Sequence, residues 1–174
     1  LVHRIDKDTS GVLVLARNRK TADLLTKAFR EHTLKKTYLA LVRGVPAKEY
    51  GEIKAPLEKA DGRVQVLEGG KPAVTEYQVL DCVSDKYALL AASPLTGRTH
   101  QIRAHLEFIG TPILGDGKYF GTDREKSGMF VHKLHLHAYK IDLSSVYGRK
   151  LIVQAKLPGY FKDSLSTLGL NFRG

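Results

Sequence analysis

The residues best equipped for chemistry stand at the start of the chain, in Leu1-Val2-His3-Arg4-Ile5-Asp6-Lys7-Asp8-Thr9-Ser10-Gly11. Asp6 has Arg4 two positions before it and Lys7 directly after it. Cations close to a carboxylate favour its ionised form, the form that acts as base or nucleophile. Asp8, Thr9, Ser10 and Gly11 are all turn formers, so on local composition a solvated charged turn is the plainer reading. A second group, Arg98 and Arg103, brackets the first turn of a helix expected from Thr99 to Ile109. Free backbone N–H groups and the helix dipole attract a negative group there. If Arg103 reached Asp6, the two charges would attract by roughly 4 kcal/mol at about 4 Å, before desolvation is set against it. Tyr38 reads as a buried sheet residue at least as readily as a catalytic one. His132, His135 and His137 form a third group, and His135 and His137 would share a face of a strand, as zinc ligands do. No cysteine or carboxylate pattern completes a metal site, so histidines satisfied within the fold or facing a bound partner are preferred and no metal is expected.

These residues need elements to hold them. Val12 to Ala16, an apolar run after Gly11, reads as a strand buried on both faces. Asn18 to Glu31 carries Ala22, Leu25, Ala28 and Phe29 at helical spacing, with Asn18 as N-cap and Arg19, Lys27 and Arg30 facing solvent. Lys35 to Val42 reads as a second strand, with Tyr38, Ala40 and Val42 on one face and Thr37, Leu39 and Leu41 on the other. Glycines and prolines punctuate residues 45 to 73, which predicts short strands and turns. Strands are expected at Val74 to Leu80, Lys86 to Ala92, Leu134 to Tyr139 and Leu151 to Lys156. The helix at Thr99 takes Thr99 as N-cap and stops at Gly110 and Pro112, and Phe161, Leu165 and Leu168 mark a closing helix. Strands outnumber helices and hairpin spacings dominate, so the class is α+β with a mixed, mostly antiparallel sheet and flanking helices.

The chain has 174 residues and a net charge of +10. Cations gather at Arg17, Arg19, Lys20, Lys27, Arg30, Lys35 and Lys36, and again at Arg98, Arg103, Lys118, Arg124, Lys126 and Lys133. Such an excess favours a polyanionic partner, nucleic acid before an anionic membrane. No apolar run is long enough to span a bilayer, and no basic amphipathic helix argues for a membrane surface. Cys82 is the only cysteine, which forbids an internal disulfide and fits a reducing, intracellular setting. No dinucleotide or phosphate-loop glycine motif is present. The chain opens on Leu1 with no lead-in to its first loop, and the start of a larger protein is expected before it.

His3-Arg4-Ile5-Asp6 with Thr9-Ser10-Gly11 resembles the signature loop of the RluA-type pseudouridine synthases. Lys36 to Gly44, Gly70-Lys71-Pro72 with Thr75, Gly97 to His105, Pro112 to Asp116, and Leu136-His137-Ala138 resemble further blocks of that family, in family order. The resemblance implies one catalytic domain over residues 1–174, lacking its N-terminal portion and with no second domain. It implies a pseudouridine synthase fold with a central RNA-binding cleft, and isomerisation of uridine in RNA without cofactor or metal. Asp6 matches the catalytic aspartate, Arg103 the arginine that pairs with it, and Tyr38 the tyrosine that stacks on the base and assists proton removal at carbon 5. Arg4 looks like the arginine that enters the RNA, and Lys36, Arg98 and His100 are expected to bind it. Large-subunit ribosomal RNA is the expected substrate, with tRNA as the alternative, acted on by a monomer in the cytoplasm. Ile5 replaces the usual leucine, a conservative departure. A non-catalytic RNA-binding or RNA-chaperone module is the competing class, and loss of Asp6, Tyr38 or Arg103 would have favoured it.

Overall fold

The computed structural model describes residues 1–120 and 133–174. Arg124, Lys126 and His132, singled out above, lie outside the described residues. β2 (Lys35–Arg43) runs through the middle of the molecule, flanked by β7 (Tyr87–Pro94) and β8 (Leu136–Asp142), both antiparallel to it. Beyond β7 lie β6 (Val74–Val83) and then β3 (Tyr50–Lys54). On its other side β8 meets β1 (Ser10–Gly11), parallel, and β9 (Ile152–Gln154), antiparallel. β4 (Leu57–Ala60) and β5 (Arg63–Val66) form a separate hairpin. Its Asp61-Gly62 corner has φ of 50° and 76°, the left-handed pair that a tight hairpin turn requires.

Four helices lie among the described residues: α1 (Arg19–Arg30), α2 (Gln101–Phe108), α3 (Ser144–Tyr147) and α4 (Gly159–Leu168). The period-two pattern of β2 separates two cores. Ala40 and Val42, with Tyr38 beside them, pack with Ile102 and Leu106 of α2. Leu39 and Leu41 pack with Phe161 and Leu165 of α4. A third core joins Leu25 and Ala28 of α1 to Val2, Leu34, Ile141 and Leu143. Asn18 caps α1 as its sequence position predicts, its side-chain oxygen accepting the Thr21 N–H at 2.9 Å.

Three expectations need correcting. Val12 to Ala16 is not a strand buried on both faces. Pairing stops at Gly11, and the run continues along the sheet margin with Leu13 and Leu15 exposed and Val12, Val14 and Ala16 turned toward the third core. An apolar run signals burial of one side as readily as of two when no flanking strand is present. Thr99 is not the N-cap of α2: His100 holds that position with φ of 51°, and no side chain caps it. The strand expected at Leu134 to Tyr139 runs instead from Leu136 to Asp142. A bulge opposite Thr37 and Tyr38 leaves Tyr139 unpaired and lets the pairing with β2 continue to Asp142. The one-turn helix α3 carried no signal in the sequence pattern.

Candidate active site

A cleft of about 550 Å³ opens where the first loop, the start of β2 and the start of α2 meet. Residues His3, Arg4, Asp6, Lys36, Tyr38, Arg98, His100 and Arg103 all line it. Every residue expected to be catalytic or RNA-binding is therefore in one place, whereas His135 and His137 are not among the lining residues. The loop is held from two sides. The Thr9 N–H donates to the Asp6 carbonyl at 2.9 Å, closing a turn around Asp6. The loop then enters the sheet at Gly11, whose φ is 112°, and any Cβ there would strike the Ala138 carbonyl. Only glycine fits that approach.

α2 supplies the partner. Arg103 Nη1 donates to Asp6 Oδ2 at 3.1 Å. Arg103 side-chain exposure is 7% and that of Asp6 is 19%, so the pair forms the floor of the cleft. The rest of the guanidinium is held by a residue with no role foreseen from the sequence, Asp116. Arg103 Nε donates to Asp116 Oδ2 at 2.7 Å and Nη2 to Oδ1 at 2.8 Å. The Asp116 side chain is wholly buried, and Oδ1 also accepts the N–H groups of Lys118 at 2.9 Å and Tyr119 at 3.2 Å. Burial works against the charge of Arg103. The hydrogen bonds and charges of Asp116 and then Asp6 outweigh it, so the guanidinium pKa is raised.

The start of α2 is fixed by Gln101 in place of a capping hydroxyl. Its Oε1 accepts from Thr96 Oγ1 at 2.7 Å and from the Arg98 N–H at 3.0 Å. Its Nε2 donates to the Val74 carbonyl at 2.9 Å and to Thr75 Oγ1 at 3.0 Å. All its bonding capacity ties the helix to β6 and to the turn that precedes it. His100, one residue earlier, stands with Nε2 3.9 Å from Asp6 Oδ2. Its Nδ1 lies 3.0 Å from the Tyr119 hydroxyl, which also accepts the Val64 N–H at 3.1 Å. Burial, then the Arg103 charge, lowers the His100 pKa, and the Asp6 charge only partly opposes this.

The cleft walls carry the remaining candidates. Tyr38 is pushed up to about 12, first by burial and then by the Asp6 charge, so near neutral pH it is a phenol. Burial lowers the Lys36 pKa, and Lys36 has no hydrogen bond or ion pair to any described residue. His3 accepts the Val14 N–H at 2.8 Å and stacks on Phe29, with ring centroids 4.2 Å apart. Burial and the Lys36 charge lower its pKa, in keeping with a ring nitrogen that accepts. Arg98 donates from Nε to the Pro72 carbonyl at 3.1 Å, and Arg4 is exposed at the rim.

His135 and His137 are buried and bonded within the fold. His135 meets Ser164 Oγ at 2.8 Å and His137 meets Ser10 Oγ at 2.9 Å. No group of three metal-ligating side chains occurs among the described residues. Sequence reasoning missed Asp116, Tyr119 and Gln101. The block Pro112 to Asp116 was a visible signal, but no spacing rule connects a carboxylate in a later loop to an arginine on a helix.

The sequence pattern of the family described as RNA pseudouridylate synthase matches residues 1–108. A Rickettsia bellii protein named ribosomal large subunit pseudouridine synthase C is 41% identical over 167 residues, covering 92% of this chain and 54% of that protein. A Vibrio cholerae protein of the same name is 38% identical over 173 residues, covering 97% of this chain and 55% of its own length. The chain thus spans about half the length of these curated relatives. Among solved structures, human RNA pseudouridylate synthase domain containing 4 superposes with a TM-score of 0.84 at 32% identity, covering 100% of this chain and 77% of that one.

Proposed function

The chain belongs to the RNA pseudouridylate synthase family, and on that premise we propose that it is the catalytic domain of an enzyme that isomerises uridine to pseudouridine in large-subunit ribosomal RNA. The reaction breaks the bond between ribose C1′ and uracil N1, turns the base in place, and joins C5 to C1′. The proton on C5 is lost and N1 gains one, so atoms balance without a redox partner, and neither cofactor nor metal is required. Asp6 acts on the ribose as nucleophile or base. Arg103 holds its carboxylate, and Tyr38 offers a neutral ring on which the base stacks. Arg4 enters the RNA as the nucleotide turns out, and the enzyme must offset a few kcal/mol of lost stacking. Lys36, Arg98 and His100 meet the RNA along the cleft, Lys36 and Arg98 as cations that exchange counterions for phosphates and His100 as a hydrogen-bonding ring. No helix among the described residues is long and apolar enough to cross a membrane, and a monomer acting on RNA in the cytoplasm fits this reading.

The observation that carries the proposal is the 3.1 Å contact between Arg103 and Asp6 at the floor of a cleft lined with further cations. Asp6→Asn in the full-length protein tests it. Tritium release from RNA labelled at uracil C5 should vanish while RNA affinity and melting temperature stay near wild type. Activity within tenfold of wild type would end the assignment.

A further inference from the structure

Arginine and a carboxylate ordinarily meet fork to fork, with two parallel N–H···O bonds that occupy both carboxylate oxygens. Arg103 makes that contact with Asp116, not with Asp6. Its Nε and Nη2 edge is spent on Asp116 at 2.7 and 2.8 Å, which leaves Nη1 to reach Asp6 Oδ2 at 3.1 Å. His100 also approaches Oδ2, at 3.9 Å. Asp6 Oδ1 has no hydrogen bond to any described residue. The two carboxylates are thus treated oppositely by one guanidinium: Asp116 is saturated and Asp6 is held by one oxygen.

We infer that Asp116 is a positioning residue: by engaging the fork edge of Arg103 it prevents a two-pronged clamp on Asp6 and keeps Asp6 Oδ1 open to the ribose. Asp116 is built for that task. Its side chain is wholly buried, and the Lys118 and Tyr119 N–H groups fix Oδ1, so its plane cannot turn with the guanidinium. A guanidinium freed from Asp116 would be able to swing its fork onto Asp6 and bind both oxygens of the reactive group. The inference rests on the reading of Asp6 as the catalytic carboxylate.

The test is a set of four variants of the full-length protein: Asp6→Asn, Asp116→Asn, Arg103→Lys and the double variant Asp116→Asn/Arg103→Lys. Single-turnover tritium release from a large-subunit ribosomal RNA transcript labelled at uracil C5 gives the rate, and filter binding of the same transcript gives Kd. An asparagine amide keeps an acceptor for the two backbone N–H groups but loses the second prong. Asp116→Asn should therefore slow the chemical step at least tenfold with Kd within threefold. In the Arg103→Lys background, where no fork exists to be oriented, the same substitution should cost less than twofold. A loss below tenfold, or an equal loss in both backgrounds, overturns the inference. If Asp116→Asn does not fold, nitrogen NMR of the wild-type guanidinium decides: separate Nη signals for Arg103 support its fixation, and a single averaged signal overturns it. Asp6→Asn separates the two readings. Activity retained in Asp6→Asn defeats the catalytic assignment, whereas a silent Asp6→Asn beside a fast Asp116→Asn defeats only the positioning role.

Discussion

The floor and the wall of the cleft treat charge in opposite ways. On the floor, Arg103 lies between two carboxylates, with three hydrogen bonds at 2.7, 2.8 and 3.1 Å, and its side chain is 7% exposed. On the wall, Lys36 is half buried and has no partner among the described residues, while His3 and His32 both feel its charge. The difference separates two uses of burial. A buried charge that is fully paired fixes geometry. A buried charge left unpaired costs stability, and it is a candidate for pairing with an opposite charge that a ligand brings.

The largest test of this contrast is Arg103→Ala. It strands the wholly buried Asp116 without its cation, so stability should fall by about 3–5 kcal/mol together with all activity, read by thermal melting and tritium release. Arg103→Lys restores charge without the fork, and should recover stability better than activity. An Arg103→Ala variant that melted like wild type would show that the paired charges do not make the floor rigid.

Acidification comes next. Burial lowers the pKa of His3, His105, His135 and His137 from the ordinary 6.5. Below 6.5 the unfolded chain takes up protons that the folded chain refuses, so stability is complete above that value and falls as pH drops toward the lowered folded values. Melting temperature should therefore decline between about pH 7 and about pH 5. His105→Gln should make the decline shallower. A melting temperature that rose on acidification would reverse the assignment of these rings as neutral.

Lys36→Met isolates the wall. RNA affinity should weaken and the slope of log Kd against log salt should shrink by roughly 0.7–0.9, the share of one phosphate contact. Thermal stability should hold or rise slightly, because the Lys36 pKa is lowered by burial and its desolvation cost is fully present at neutral pH. An unchanged salt slope would make Lys36 a structural cation. Smallest of all is Tyr38→Phe. The phenol has no hydrogen bond to any described residue, so stability in a melting experiment should shift by about 1 kcal/mol or less. With the hydroxyl pushed up to about 12, the pH–rate profile through neutrality should keep its shape.

How much of this was legible beforehand follows from the range of each signal. The alternation in β2 is a local property with period two, and it predicted which side chains share a face; that one face meets α2 and the other α4 is set by the fold. The Asn18 cap was legible for the same reason, since cap and first turn lie within three residues. Val12 to Ala16 misled because hydrophobicity alone does not tell a central strand from a margin. Thr99 misled because the helix start has no side-chain cap and is tied down instead by Gln101, through bonds to Val74 and Thr75 some 26 residues away. The Arg103–Asp6 contact followed from family likeness and a helix-dipole argument. Asp116 was out of reach because its partner is set by tertiary packing alone.

Gly11 also bears on the order in which the molecule can be made. The loop carrying Asp6 is fastened to the sheet through Ser10 and Gly11, paired with His137 and Ala138, and through the Ser10–His137 side-chain contact across 127 residues of sequence. Contacts so distant form late, because closing the intervening chain is costly until other elements have shortened it. Synthesis runs from the N-terminus, so α1, β2, β6, β7 and α2 all leave the ribosome before the strand that tethers residues 10 and 11 exists. A nascent chain halted before residue 136 holds Arg103, Asp116 and Phe29 but lacks the strand to which Ser10 and Gly11 are fastened. The first residues to be translated in this stretch are thus among the last to take their working position.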